Sequence, residues 1–236
     1  MSKSYRKTLG FSNATTAKNF LTAKDITIIN WPLIEQYNRR LTDIFSRIQS
    51  TIPIPQRDIE PIVQSAYAIL KANDILPTLS NHGRSPESVY YSWLQGYLTV
   101  IVFQPFIEKK LSCTLIQNGA DDLTNPATFS RKSDPDLVDH NEKIYVEIQG
   151  GFKGSKVDIK KSKVKTSDTY QYYIACFDCF DGQYVIMNTK DIPENQWYPN
   201  QLWEGALCYT VPKNQMREWK EPFCEYSGLP AVDAYK

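Results

Sequence analysis

Two carboxylates lie at a spacing that a short hairpin would bring together. They are Asp136 and Glu147, in the segment SDPDLVDHNEKIYVEIQGG of residues 133–151. If residues 141–142 form a two-residue hairpin loop, counting outward places Asp136 opposite Glu147 and puts Gln149 on the same face. Opposed side chains in a hairpin have Cβ atoms about 5 Å apart. The chemistry to expect at that distance is shared binding of a cation.

Like charges at this distance repel each other, so their pairing needs a physical reason. Two carboxylates about 5 Å apart repel by roughly 3 kcal/mol at an effective dielectric constant near 20. A Mg²⁺ ion would remove the repulsion, because proteins hold this ion through one or two carboxylates, waters and substrate phosphate oxygens. The alternative is that both acids are solvated at a sheet edge and paired with Lys143 or Arg131. The residues alone leave both interpretations open.

Glycines and lysines follow the second carboxylate directly, in GGFKGSK. Glycines allow a close backbone approach and lysines bind phosphate, so this composition favours a phosphate ligand. The thirteen residues from 153 carry six lysines, opposed only by Asp158: Lys153, Lys156, Lys160, Lys161, Lys163 and Lys165. These cations either contact a phosphate backbone or form a solvated face. The nucleotide-binding pattern G-x-x-x-x-G-K-[ST] is absent, and the only histidines, His82 and His140, are too few for a histidine-based metal nuclease.

Three helices are predicted before the hairpin. Asn30 is a plausible N-cap for a first helix that TIPIPQ ends, and a second helix is expected from about residue 58 to residue 73. Ser85 opens the third helix, SPESVYYSWLQGYLTVIVF, whose later half is apolar nearly all round and should be buried. Pro105 is expected to kink or stop that helix.

Strands dominate the rest of the chain. We expect a strand in SCTLIQ, the carboxylate hairpin, a lysine-rich helical segment, and a second hairpin of YQYYIACFDCF and QYVIMNT around Asp181-Gly182. ALCYTV is predicted to form a further strand, and PKNQMREW is predicted to form a short helix. The predicted fold is α/β, a mixed central β-sheet flanked by helices. It divides into a helical N-terminal region (1–84), a core (85–221) and a tail (222–236) of one continuous globular unit.

Composition places the protein among ordinary globular chains. It has 236 residues, of which 42% are apolar and 22% charged. Five cysteines, an odd number, fit a reducing compartment better than a disulfide framework. The absence of a long apolar window, and of an apolar signal core in MSKSYRKTLGF, leads us to expect neither membrane insertion nor export, and therefore a cytoplasmic protein.

The carboxylate segment resembles a known nuclease superfamily. The dipeptide PD that ends at Asp136, the hairpin, and E-x-Q at Glu147 and Gln149 after IYV are similar to the PD-(D/E)xK motif, particularly that of type II restriction endonucleases. The likeness covers about residues 85–187 and includes the helix from Ser85, with its acid Glu87. It implies a restriction-endonuclease-like core and Mg²⁺-dependent hydrolysis of phosphodiester bonds in duplex DNA.

Gln149 departs from the family pattern, which usually has lysine at this position. A minority of these enzymes carry E-x-Q, so activity is still expected. The resemblance implies that Asp136 and Glu147 ligate Mg²⁺, with Glu87 either a further ligand or an acid favoured at a helix N-terminus. Gln149 would orient the attacking water, although an amide can neither take up a proton nor neutralise charge. Lys153 or Lys156 would then supply the missing positive charge.

The resemblance also implies partners and a setting. Duplex DNA would contact the lysines at 153, 156, 160, 161 and 163; Mn²⁺ would substitute for Mg²⁺, and Ca²⁺ would support binding without cleavage. A homodimer in a prokaryotic cytoplasm is expected, with a DNA methyltransferase protecting the host and no membrane partner. Candidate base contacts are Arg84, Arg131, Asn200 and Gln201. The alternatives are a structure-selective repair or recombination nuclease and a noncatalytic DNA-binding protein, for which Gln149 is the best argument.

Overall fold

The computed structural model describes residues 29–76, 84–118, 135–152, 157–164, 168–200 and 205–219. These ranges contain helices α1 (Trp31–Thr51), α2 (Ile59–Ala72) and α3 (Pro86–Leu111). They also contain nine strands: β1 (Ile116–Gln117), β2 (Leu137–Asp139), β3 (Ile144–Gly151), β4 (Asp158–Lys160), β5 (Gln171–Asp178), β6 (Gln183–Asn188), β7 (Tyr198–Asn200), β8 (Ala206–Thr210) and β9 (Arg217–Glu218). None of the helices in these ranges has the length and apolar character that crossing a membrane requires.

Helices α1 and α3 begin at the residues that local capping chemistry predicts. The Asn30 side chain accepts the backbone N–H of Leu33 at 3.2 Å, and Ser85 Oγ accepts that of Ser88 at 3.3 Å. Each side chain satisfies one backbone donor that a helix leaves unpaired in its first turn. Helix α1 ends at Thr51, before the proline-rich stretch, as predicted.

Pro105 does not stop α3, which continues to Leu111. A proline inside a helix removes one hydrogen bond, here the bond to the Ile101 carbonyl, and costs about 3 kcal/mol. Burial beyond the proline offsets this cost, because Phe106 and Ile107 are 3% and 0% exposed. Of the two predicted outcomes, a kink or a stop, the stop is therefore wrong, because tertiary packing outweighs the local penalty.

The strands form two sheets, and the larger one is mixed, as predicted. Its order is β1-β2-β3-β5-β6-β9. Strands β3 and β5 run parallel, whereas every other neighbouring pair is antiparallel. Strands β4, β8 and β7 form a separate antiparallel three-stranded sheet. The chain thus leaves β3, contributes β4 to the small sheet, and returns to the large sheet as β5.

Each face of the large sheet has its own apolar core. The helix-side core joins all three helices to one face and includes Phe45, Leu70, Phe103, Val146 and Phe177. The second-sheet core lies on the other face and includes Ile174 and Cys176 of β5 together with Ile159 and Tyr209 of the small sheet. The N-terminal helices consequently share one core with the large sheet.

The carboxylate hairpin has the register that alternation predicts. Leu137 pairs with Val146 and Asp139 with Ile144. The loop is longer than expected, since residues 140–143 form a four-residue turn. Asp139 explains this turn, because its Oδ1 accepts the backbone N–H groups of Asn141 and Glu142 at 2.8 and 3.1 Å. The predicted register is confirmed for the pairs of Leu137–Asp139, and the two-residue loop is wrong.

Three other local expectations need correction. The lysine-rich segment is not a helix in its described part but the strand β4 followed by a single 3-10 turn, Lys161–Lys163. PKNQMREW contains another 3-10 turn, Lys213–Gln215, and the strand β9. SCTLIQ supplies only the two-residue β1. The lysine-rich segment forms a strand because a partner distant in sequence is available: Ile159 of β4 pairs with Tyr209 of β8.

Candidate functional site

Asp136 lies where β2 separates from β3. Leu137 and Val146 are the last residue pair between β2 and β3. Beyond this pair, β2 supplies no backbone acceptor for the Ile148 N–H of β3. Asp136 Oδ2 takes that role and accepts the backbone N–H of Ile148 at 2.7 Å. The Asp136 carbonyl in turn accepts the N–H of Asn118 at 3.0 Å. The carboxylate is thus held against β3, one residue from Glu147.

Glu147 is a buried acid on an inner strand. Strand β3 has β2 on one side and β5 on the other, and Glu147 is 8% exposed. Val146 and Ile148 belong to the helix-side core, so alternation turns Glu147 to the opposite face. Its register partner on β5, Ile174, belongs to the second-sheet core. A carboxylate this deeply buried requires a charged or hydrogen-bonding partner.

Lys163 supplies that partner from the 3-10 turn after β4. Its Nζ lies 2.5 Å from Glu147 Oε1, and its side chain is 33% exposed. Asp136 also acts on this ammonium through its charge. The structure therefore brings two carboxylates and one lysine together. Of the two expected alternative partners, Lys143 is exposed in the hairpin turn, and Arg131 lies outside the described residues.

The protonation of the three groups reflects burial opposed by charge. Burial raises the pKa of the Asp136 carboxyl, although the Ile148 N–H and the Lys163 ammonium pull it back. Burial lowers the pKa of Lys163, but the charge and hydrogen bond of Glu147 and the charge of Asp136 outweigh it, so the pKa is raised. Lys163 consequently stays an ammonium over the physiological range. The site therefore has an ammonium beside a carboxyl group whose pKa burial raises.

Gln149 lies on β3 two residues beyond Glu147 and therefore on the same face. It is partly buried, and its register partner on β5 is the fully buried Cys176. Burial, and then the charge of Glu147, raises the pKa of the Cys176 thiol. Gln149 is thus paired with a residue of the second-sheet core, two residues from Glu147. The same outward counting would place Asp134 opposite Gln149, but Asp134 lies outside the described residues.

Gly150, the first glycine after the carboxylates, has a packing role. A Cβ on Gly150 would lie 2.8 Å from Phe152 Cε2 and 3.4 Å from Thr99 Cγ2 of α3. Phe152 needs this space because its ring packs on Phe45 of α1, with centroids 5.6 Å apart. Gly150 is therefore explained without a ligand. Lys153 and Lys156, the predicted phosphate contacts, lie in residues 153–156, outside the described ranges.

Glu87 joins two helices. It is 6% exposed in the first turn of α3, and its Oε1 accepts the backbone N–H of Asn30, the N-cap of α1, at 2.8 Å. In the portion of the chain that the structure describes, no three His, Cys, Asp or Glu side chains are grouped so as to hold a metal ion. Glu87 thus does not complete a three-ligand group with Asp136 and Glu147. Its geometry fits the helix-terminus role weighed above.

Glu87→Gln should lower stability in a pH-dependent way. Burial raises the pKa of Glu87, but hydrogen bonds from the N–H groups of Asn30 and Glu87 and from Ser85 outweigh it, so the pKa lies below its ordinary 4.5. A lowered folded-state pKa stabilises the protein above the unfolded-state pKa, and this stability is lost as the pH falls through the folded-state value. At pH 7 the variant should unfold with about 1 kcal/mol less free energy than the parent.

The measurement is urea unfolding of both proteins between pH 3 and pH 7, and the gap should close below the ordinary pKa. Glu60, an exposed acid in the first turn of α2, is the matched control. Its glutamine variant should lose about 0.5 kcal/mol or less. A pH-independent gap for Glu87→Gln would show that the charge of this carboxylate is not what stabilises the helix junction.

The lysines of the run have separate environments. Lys161 pairs with the exposed Glu194 and lies over the Trp197 ring, 5.7 Å from its centroid. Lys160 is partly buried on β4, whereas Lys163 turns to Glu147. The run is therefore not one uniform cationic face in its described part. The sequence analysis placed Lys163 among the DNA contacts and missed its ion pair with Glu147. A lysine-rich run next to two acids indicates that an ion pair can form, but it does not identify which lysine forms it.

The donor set suits a hard divalent cation. Carboxylate oxygens of Asp136 and Glu147 are the ligand type that Mg²⁺ prefers, and the Gln149 amide can orient a water nearby. The Lys163 ammonium at Glu147 Oε1 marks a position where these acids already attract positive charge. By their chemistry, the residues fit the ion that the resemblance implies.

Comparison with known proteins adds no relative. No match to this chain was found among protein-family models, curated proteins or solved structures. A functional assignment therefore depends on the geometry and chemistry of the site formed by Asp136, Glu147, Gln149 and Lys163.

Proposed function

We propose that this protein is a Mg²⁺-dependent endonuclease that hydrolyses phosphodiester bonds in duplex DNA at specific sites, as type II restriction endonucleases do. The observation that carries the proposal is the anchored carboxylate pair. Asp136 is held by the Ile148 N–H beside the buried Glu147, and both acids act on one cation. Asp136 also serves the fold as the acceptor of the Ile148 N–H, but burial of paired charges seldom stabilises a protein. A functional requirement for the pair accounts for its cost.

The roles of the residues follow from their positions. Asp136 and Glu147 would hold the metal, which when bound would acidify a water and neutralise charge on the phosphate. Gln149, on the same face as Glu147, would orient the attacking water through its amide. Lys163 carries the positive charge that E-x-Q lacks, and its partly exposed side chain can reach toward a phosphate. These assignments keep every reacting group on one face of β3.

The wider setting of the proposal comes from the resemblance alone. A homodimer would cut a palindromic sequence, with one site in each subunit, and a cognate methyltransferase would protect the DNA of a prokaryotic host. Base contacts would come from loops, including Arg131 and Gln201. Both residues lie outside the described ranges.

A noncatalytic DNA-binding protein is the second candidate. The Lys163–Glu147 pair favours it, because a carboxylate that keeps its ammonium partner needs no metal. Gln149 favours it as well, since it removes the usual lysine of the motif. The two candidates differ in whether the pair opens when Mg²⁺ and DNA are both present.

Digestion of plasmid DNA with Mg²⁺ distinguishes the candidates. Discrete fragments support a site-specific endonuclease, and their ends also give the recognised sequence. Cutting of branched substrates alone supports a repair or recombination nuclease. A salt-sensitive mobility shift without cleavage supports the binding protein. Mn²⁺ should replace Mg²⁺ in cleavage, and Ca²⁺ should support binding only.

A further inference from the structure

The Lys163 ammonium occupies the place that a metal ligated by Glu147 would need. It lies 2.5 Å from Glu147 Oε1 and is also attracted electrostatically by Asp136. A Mg²⁺ or Mn²⁺ ion binds carboxylate oxygen at about 2.1 Å. An ammonium and a divalent ion on the same oxygen would then stand within about 5 Å of each other and repel strongly in this partly buried site.

We propose that Lys163 is a displaceable counter-ion of the Asp136–Glu147 pair, competing with a divalent cation for the same carboxylate oxygens. The inference rests on the proposed function, which supplies the metal site. It adds that Lys163 regulates metal binding at that site. Without metal, the lysine relieves the repulsion between the two acids and keeps the pair stable. With metal, the ammonium moves away and is free to meet another anion.

The position of Lys163 makes such a displacement feasible without unfolding. The residue belongs to a single 3-10 turn, and a third of its side chain is exposed. The turn is fixed at its start by β4, whose residues Asp158–Lys160 pair with β8. Rotation of a flexible four-carbon side chain is therefore sufficient to release Glu147. The fold around the carboxylates, held by the Ile148 hydrogen bond, does not have to change.

Isothermal titration with Mn²⁺ in the absence of nucleic acid tests the competition. Lys163→Met removes the ammonium and keeps an unbranched chain of similar length. It should bind Mn²⁺ roughly tenfold more tightly than the parent, because one charge-assisted hydrogen bond no longer competes. Lys161→Met is the matched control on the same turn, since Lys161 pairs with Glu194, and it should leave Mn²⁺ affinity unchanged. Adding Glu147→Gln to Lys163→Met should remove the gain.

Amine labelling of the unmodified protein gives a second measurement that no folding defect can obscure. Mn²⁺ should raise the labelling rate of Lys163, read by peptide mass spectrometry, and leave that of Lys161 unchanged. The proposal is overturned if a folded Lys163→Met variant binds Mn²⁺ no more tightly than the parent. It is also overturned if Mn²⁺ does not change the labelling rate of Lys163.

The outcome is separable from that of the plasmid digest. Tighter Mn²⁺ binding by Lys163→Met in a protein that cuts no DNA would support the counter-ion and overturn the nuclease. Cleavage by the parent, together with unchanged Mn²⁺ affinity in Lys163→Met, would do the reverse.

Discussion

Replacing Asp136 or Glu147 by alanine should reduce DNA cleavage by about a thousandfold or more, because each change removes a metal ligand that contributes several kcal/mol to the transition state. Binding of the same duplex in Ca²⁺ should persist, since most DNA affinity comes from phosphate contacts elsewhere. Initial cleavage rates and mobility shifts on one labelled duplex measure the two properties side by side.

Two isosteric variants separate chemistry from folding. Asp136→Ala also leaves the Ile148 N–H without its acceptor, at a cost of about 1–3 kcal/mol, whereas Asp136→Asn keeps an oxygen there. Asp139→Asn is the matched control, because Asp139 is a buried acid of the same hairpin that only caps the turn. It should cut at the parental rate. Parental cleavage by Asp136→Ala or Glu147→Ala would mean that the active site lies elsewhere.

The largest loss of stability is expected at the contact between α3 and the sheet. Phe103 is fully buried, with its ring stacked on Phe177 at a centroid distance of 3.8 Å and tilted against Trp219 at 5.4 Å. Phe103→Ala should lower the free energy of unfolding by about 3–5 kcal/mol, because it removes buried apolar surface and leaves a cavity. Urea unfolding, followed by tryptophan fluorescence, measures the change.

Phe180 provides the control for this variant. It is an aromatic residue of the β5–β6 turn and is 37% exposed. Phe180→Ala should change the free energy of unfolding by about 0.5 kcal/mol or less. If Phe103→Ala cost no more than Phe180→Ala, the helix-side core would not be organised around this aromatic contact.

Local chemistry predicts the parts of this fold that local interactions determine. Asn30 and Ser85 cap helices because their side chains reach backbone donors three residues away. The register of the carboxylate hairpin follows from alternation, since any shift by one residue would turn Val146 and Ile148 away from the helix-side core. The mixed sheet follows from the order of helices and strands. The anchoring of Asp136 beside Glu147 extends this predictable register by one residue.

Contacts between distant segments decide the remainder. Strand β4 replaces the expected helix because Ile159 pairs with Tyr209, fifty residues later in the chain. The same pairing aims Lys163 at Glu147, which the lysine-rich composition of the run cannot specify. Pro105 is another such case, since the burial of Phe106 on Tyr184 of β6 supports the helix beyond it. In each case the deciding partner lies outside the window that periodicity and capping cover.

Between β3 and β5 the chain contributes β4 to the small sheet, and this affects when in folding the site is completed. The carboxylates emerge from the ribosome early, on a hairpin that needs only its neighbours in sequence. Their lysine is held by β4, whose partner strand, Ala206–Thr210, is made much later. We therefore expect Lys163 to meet Glu147 late in folding, because pairing between distant segments is slow. A nascent chain carries its acids before it can neutralise them.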